Sequence, residues 1–194
     1  MKASINFPES SVLDPFLERQ KGASFSYKDS HKDIGQTCQK APKFYNNDYH
    51  QFPLGQGEAV WQKAKQALRQ WQQFPPTWTQ IYPNNAPLEP NTNVAVLFKV
   101  IGLWWINSAR IVFAFDEPNR FGFAYGTLPD HIERGEEVFW VERDDQFRVT
   151  YHIKAFSRPA HWLVWLAYPM ARFFQKRFCL HSGKRMKELV KPSV

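Results

Sequence analysis

The middle of the chain alternates apolar and polar positions with a period of two. In residues 108–137 Ile111, Phe113 and Phe115 alternate with Val112 and Ala114. Asp116, Glu117, Pro118 and Asn119 supply turn chemistry, and Phe121, Phe123 and Tyr125 then alternate with Gly122, Ala124 and Gly126. Alternation bounded by Asp, Pro and Asn predicts a hairpin. Residues 136–143 continue as a strand, with Val138 and Trp140 opposite Phe139 and Val141, and Asp144-Asp145 make the next turn. Residues 147–156 alternate most cleanly: Phe147, Val149, Tyr151, Ile153 and Ala155 face one way, and Arg148, Thr150, His152 and Lys154 the other. One buried and one wet face is the mark of an antiparallel sheet.

Upstream, residues 57–74 change to a helical period. Val60, Ala64, Leu68 and Trp71 share a face, with Trp61, Ala67 and Phe74 at its margin, until Pro75-Pro76 stops the helix. Residues 44–54 and 77–82 read as strands. Residues 93–106 form an apolar run with Val94, Val96, Phe98 and Val100 on one face, and Gly102 predicts a bulge or bend within it. Before these, Asp14-Pro15 predicts a short helix over 14–20 with proline at its first position. After the strands, Ser157 is the expected cap and Pro159 the expected first residue of a helix over about 160–190. Its apolar stripe is Trp162, Leu163, Leu166, Met170, Phe173, Phe174 and Phe178, and Pro169 is expected to kink or divide it.

These elements predict an α+β fold: a curved antiparallel sheet whose apolar face is covered by a long C-terminal helix. The expected organisation is an irregular arm (1–42), one domain (43–190) and a short tail (191–194). A chain of 194 residues buries about 70% of its unfolded surface and needs no staples. Cys38 and Cys179 are remote from each other and form no CxxC pair, which fits a reducing, cytoplasmic setting. The N-terminus has no signal-peptide core, and the longest apolar run is about half of the roughly 20 residues a membrane helix needs. The net charge of +7 is unevenly spread. Residues 116–145 carry nine acids against three bases, and residues 150–194 nine bases against one acid. A basic helix suggests a possible anionic membrane surface as a partner. Nucleic acid is not expected, because Trp162, Trp165, Phe173, Phe174 and Phe178 fall opposite the charges.

Three segments carry a family resemblance: LGQGEAVWQKAKQAL (54–68), FGFAYGTLPDHIERGEE (121–137) and AFSRPAHW (155–162). They resemble the family catalogued as domain of unknown function nineteen-ninety, and the weaker pattern Phe25-Ser26-Tyr27, Ile34-Gly35-Gln36-Thr37 and Pro42 resembles its N-terminal part. That family is grouped with the helix-grip proteins, which include START lipid-transfer and pollen-allergen-like domains. The resemblance implies a hydrophobic cavity between a curved sheet and the C-terminal helix. It supplies no function, because this fold hosts carriers, receptors and enzymes.

No phosphate-binding glycine loop, dinucleotide fingerprint or catalytic triad is present, so no cofactor is expected. The expected partner is a small hydrophobic or amphipathic molecule. Its walls are expected from Trp105, Phe113, Phe123, Tyr125, Tyr151, Met170 and Phe174. Arg110 or Arg158 is expected to meet a polar head, and Arg110 is alternatively expected to pair with Glu136. Thr127, His131, Glu133 and Glu136 are expected to cluster in one loop. A lone histidine there argues for a hydrogen-bonding role over a metal, and His131, Tyr125 and Glu136 are the acid–base candidates should the protein be an enzyme.

Overall fold

The computed structural model describes residues 2–27, 44–160 and 168–191. The elements are β1 (Lys2–Ser4), α1 (Ser10–Glu18), β2 (Asn46–Gln56), α2 (Glu58–Arg69), β3 (Thr79–Tyr82), β4 (Asn93–Val100), β5 (Leu103–Asp116), β6 (Arg120–Thr127), β7 (Glu133–Arg143), β8 (Arg148–Pro159) and α3 (Tyr168–Leu189). The strands form one antiparallel sheet in the order β2-β8-β7-β6-β5-β4-β3. β5 is long enough for two partners along one edge. β6 pairs with Ala109 to Asp116, and β1 with Trp104 to Ile106.

Both faces of the sheet are occupied. On the concave face α2 and α3 cover Phe123, Phe139, Val141, Tyr151 and Ile153. On the convex face α1 seats Leu13 and Phe16 against Ala95, Leu97 and Ile106. β4 alternates as the sequence predicts, with Val94 and Val96 in the concave core and Ala95 and Leu97 in the convex one. In β8 Val149, Tyr151 and Ile153 join the concave core as expected, but Phe147 lies in the turn before the strand and is half-exposed, and His152, expected on a wet face, is buried against Trp140 and Tyr49. α2 likewise buries Trp61, Ala64, Ala67 and Leu68.

Several local expectations change once the strands pair. α1 begins at Ser10, so Pro15 lies inside it and not at its first position. Burial of Leu13 and Phe16, both 0% exposed, offsets the lost amide donor. α2 ends at Arg69, and Trp71 takes a left-handed backbone (φ 56°) that turns its ring into the core, where Nε1 donates to the Ala86 carbonyl at 2.9 Å. Gly102 is not a bend within one strand. Ile101 (φ 50°) and Gly102 (φ 75°) form the turn between β4 and β5, as a two-residue hairpin with the sheet's twist requires. Ser157 and Pro159 do not start the last helix: both belong to β8, opposite Gly135 and Glu133 of β7. α3 is described from Tyr168 with Pro169 as its second residue, and Trp162, Leu163 and Leu166 lie outside the described residues. Its buried residues are Phe178, Cys179, Ser182, Gly183 and Met186, whereas Phe173 is 60% exposed.

Candidate functional site

A cavity of about 470 Å³ lies between the concave face and the first turns of α3. Its apolar walls are Trp78, Phe98 and Trp105 from the β3–β5 side, and Met170, Phe174 and Phe178 from the helix. Ile101 and Met170, also in the lining, are exposed at its mouth. The volume falls in the range of small-molecule sites, which are mostly apolar with a few convergent polar groups.

Those polar groups gather where β2, β7 and β8 pass under α3. Asp48, Tyr125, Thr127, His131, Glu133, Glu137 and Gln175 all border the cavity. Tyr125 and Glu137 face each other across β6 and β7, and the tyrosine hydroxyl donates to Glu137 Oε2 at 2.5 Å. Burial pushes the Glu137 carboxyl up to about 7, the Tyr125 hydrogen bond partly opposes this, and the nearby Glu133 charge adds to it. Burial also raises Glu133 to about 6, against the lowering effects of a hydrogen bond from Gln175 and the positive charge of Arg172. Asp48 is paired bidentately with Arg172 of α3 at 2.5 and 2.6 Å.

His131 is 7% exposed. Its Nδ1 accepts the Glu133 backbone N–H at 3.0 Å, so the ring proton sits on Nε2. Burial lowers its pKa to about 4, so the ring is neutral at physiological pH. Thr127 is held by structure: its hydroxyl accepts from Gly135 N–H at 3.0 Å and bonds Ser26 Oγ at 2.6 Å, tying the N-terminal segment to the rim.

Trp105, Tyr125, Thr127, His131, Met170 and Phe174 thus border the cavity, and five other sequence-expected residues do not. The β5–β6 register slips by one residue between Ile111 and Phe113, which sends Phe113 to the convex face with Ala124, Val138 and Trp140. Phe123 lies on the concave face but under α2, with its ring 4.6 Å from Trp71. Tyr151 is fully buried, hydrogen-bonded to Ser182 Oγ at 2.9 Å. Arg110 meets neither a ligand space nor Glu136. Its guanidinium donates to Asn93 Oδ1 and to the carbonyls of Ala23 and Gln20 at 2.7–2.8 Å, latching the segment after α1. Arg158 stacks over Tyr45, 4.8 Å from the ring centre. Glu136 borders the cavity, but its carboxylate accepts the Tyr27 hydroxyl at 2.8 Å.

Sequence reasoning passed over Glu137, Asp48 and Gln175. For Glu137 a signal existed, because it shares the face of Phe139 and Val141. A carboxylate at the end of an otherwise apolar strand face is a candidate for a cavity. Asp48 and Gln175 are far apart in sequence and carry no local signal.

Among the described residues no group of three or more His, Cys, Asp or Glu is arranged to hold a metal ion. No described helix is long and apolar enough to cross a membrane.

Comparison with known proteins agrees with this architecture. The chain is 34% identical over 201 residues to a UPF0548 protein of Dictyostelium discoideum, covering 94% of this chain and 93% of that one. It is 31% identical to a UPF0548 protein of Deinococcus radiodurans, covering 92% and 94%. Among solved structures it is similar to the di-domain ARO/CYC BexL from the BE-7585A biosynthetic pathway, with TM-score 0.51 and 9% identity over 79% of this chain and 52% of that one. At that identity the likeness speaks for the fold alone, a curved antiparallel sheet closed by a C-terminal helix, as in the helix-grip proteins. Residues 30–185 match the family described as Domain of unknown function (DUF1990), and the chain belongs to that family.

Proposed function

We propose that this protein binds a small hydrophobic or amphipathic molecule in the cavity between the sheet and α3. The observation that carries the reading is the cavity itself, about 470 Å³ with aromatic and aliphatic walls and a cluster of polar side chains at one end. An apolar guest in a cavity of this size makes dispersion contacts with aromatic and aliphatic walls on several sides. Cys179 is buried and its thiol is pushed up by burial, so it is an inert wall residue. This is compatible with a reducing, cytoplasmic setting.

Native mass spectrometry of freshly purified protein, followed by organic extraction, tests the proposal. The expected result is a discrete adduct at one per chain that disappears in Ala155→Trp, which fills the cavity from β8. A bare mass in the wild type, with no apolar compound retained on titration, overturns it.

One arrangement favours a second, enzymatic reading: Glu137, Tyr125 and His131 border the same cavity, and Glu137 titrates near neutrality, where a general acid–base works best. Incubating the extracted ligand with wild type and with Glu137→Gln separates the two. Chemical change only in the wild-type sample supports catalysis, and identical recovery from both rules it out.

A further inference from the structure

The polar end of the cavity has a definite sign. Asp48 is neutralised by Arg172, and the other carboxylates on the lining are Glu133, Glu137 and Glu136, the last of which accepts the Tyr27 hydroxyl. Lys176 is the one Lys or Arg among the described lining residues, and it is exposed at the surface, where water solvates its ammonium. The two arginines that a sequence reading sets against a ligand head, Arg110 and Arg158, are engaged elsewhere.

Two atoms at this end have no protein partner among the described residues. Glu137 accepts Tyr125 on Oε2, and its Oε1 is unfilled. His131 accepts Glu133 N–H on Nδ1, and its Nε2–H donor is unfilled on a ring that is nine-tenths buried. Unmet polar groups in an apolar enclosure are costly, and a guest that meets them recovers that cost. A hydroxyl does both, donating to Glu137 and accepting from His131. An ammonium donates to Glu137 and gains from the surplus negative charge. A carboxylate does neither for Glu137 and adds a like charge.

We infer that the cavity selects amphiphiles with a hydrogen-bond-donating, non-anionic head, a hydroxyl or an ammonium set against Glu137, and rejects carboxylate heads. This rests on the cavity being a ligand site. The raised affinity of Glu137 for its proton supports it, since a carboxyl buried without a cation holds the same unmet demand for a donor.

The test uses a tail-matched series, decanol, decylamine and decanoate, titrated at pH 8 below their micelle thresholds into the full-length protein. Fluorescence of Trp78 and Trp105, both on the wall, reports binding. Decanol and decylamine are expected to bind at least about ten-fold more tightly than decanoate, corresponding to about 1.4 kcal/mol. In Glu137→Gln, whose amide oxygen still accepts from Tyr125, the gap is expected to fall below about three-fold, mainly by tighter decanoate binding. Decanoate binding as tightly as the other two in the wild type overturns the inference while leaving the cavity a ligand site. A gap that persists unchanged in Glu137→Gln also overturns it. No response to any of the three overturns the ligand-site reading and the inference with it.

Discussion

Under α2 the concave face of the sheet is packed solid, and under the first turns of α3 it is not. Trp71, Phe74, Phe123 and Phe139 close the first region, with ring centres 4.6–6.0 Å apart in tilted and edge-to-face pairs. Such geometry suits the ring quadrupoles and leaves no room for a guest. Phe178 is the partition. It packs on Phe74 in a tilted pair at 5.2 Å on the closed side and lines the cavity on the other. Beyond it the rings are spaced more widely, with Trp78 6.2 Å from Phe174 and 6.4 Å from Phe178, and the polar side chains are tied by hydrogen bonds and an ion pair. Among the described residues two helices cover the closed region and one covers the open one. The lesson is that one apolar sheet face serves two ends: aromatic interlock supplies stability, and incomplete cover supplies space.

Removing one ring from each region should affect them very differently. Phe139→Ala is expected to destabilise the fold by about 3–5 kcal/mol, the cost of a large cavity in a close-packed core. Chemical denaturation reads it directly, and a loss under 2 kcal/mol would mean that the closed region relaxes more easily than its packing suggests. A second change lifts α3 without touching either set of rings. A Cβ on Gly183 would come within 2.5 Å of the Phe52 ring of β2, so Gly183→Ala is expected to cost about 1–3 kcal/mol by overpacking. Unchanged stability would show that the helix shifts freely on the sheet.

The polar end answers to pH. A carboxyl whose folded pKa lies above its unfolded value binds more protons when folded. Its contribution is therefore favourable in acid and is lost as pH rises from about 4.5 through about 7 for Glu137, and through about 6 for Glu133. His131 has the opposite sign. Its folded pKa of about 4 lies below the unfolded 6.5, so stability is lost as pH falls through that window. Glu137→Gln isolates the first effect. It is expected to stabilise the protein by on the order of 2 kcal/mol at pH 8 and to change little at pH 5. Equal effects at both values would place the carboxyl in water. The smallest effect is expected at the cavity wall: Phe174→Ala should cost about 1 kcal/mol, because the ring is only partly buried, while weakening ligand binding measured by tryptophan fluorescence. A loss as large as that of Phe139→Ala would show that the wall is packed as tightly as the closed region.

Much of this was readable along the chain. The opposed faces of β4, the concave stripe of β8 and the buried stripe of α2 follow from local periodicity, because each strand or helix exposes its own pattern to a single core. Six of the eleven expected site residues also border the cavity. The others were misplaced for reasons that local pattern cannot carry. One slipped residue between Ile111 and Phe113 reverses the face of Phe113. Pairing with β7 keeps Ser157 and Pro159 in a strand where local chemistry favours a helix start. Phe123 and Tyr151 are on the predicted face, but lateral position decides which helix lies over them.

The sequence by itself determined the apolar faces, the antiparallel order and the long covering helix, since these depend on the period of burial and on turns that act over a few residues. Tertiary structure decided where the cover fails and which groups meet there. Glu136 and Glu137 are neighbours with the same side chain, yet one accepts Tyr27 on the convex side and the other Tyr125 in the cavity. Strand register separates them, and register is set by pairing across the whole sheet. The charge of the site is equally non-local: Arg172 and Asp48 come together from positions 124 residues apart, and their pairing leaves the cavity acidic in a chain whose net charge is +7.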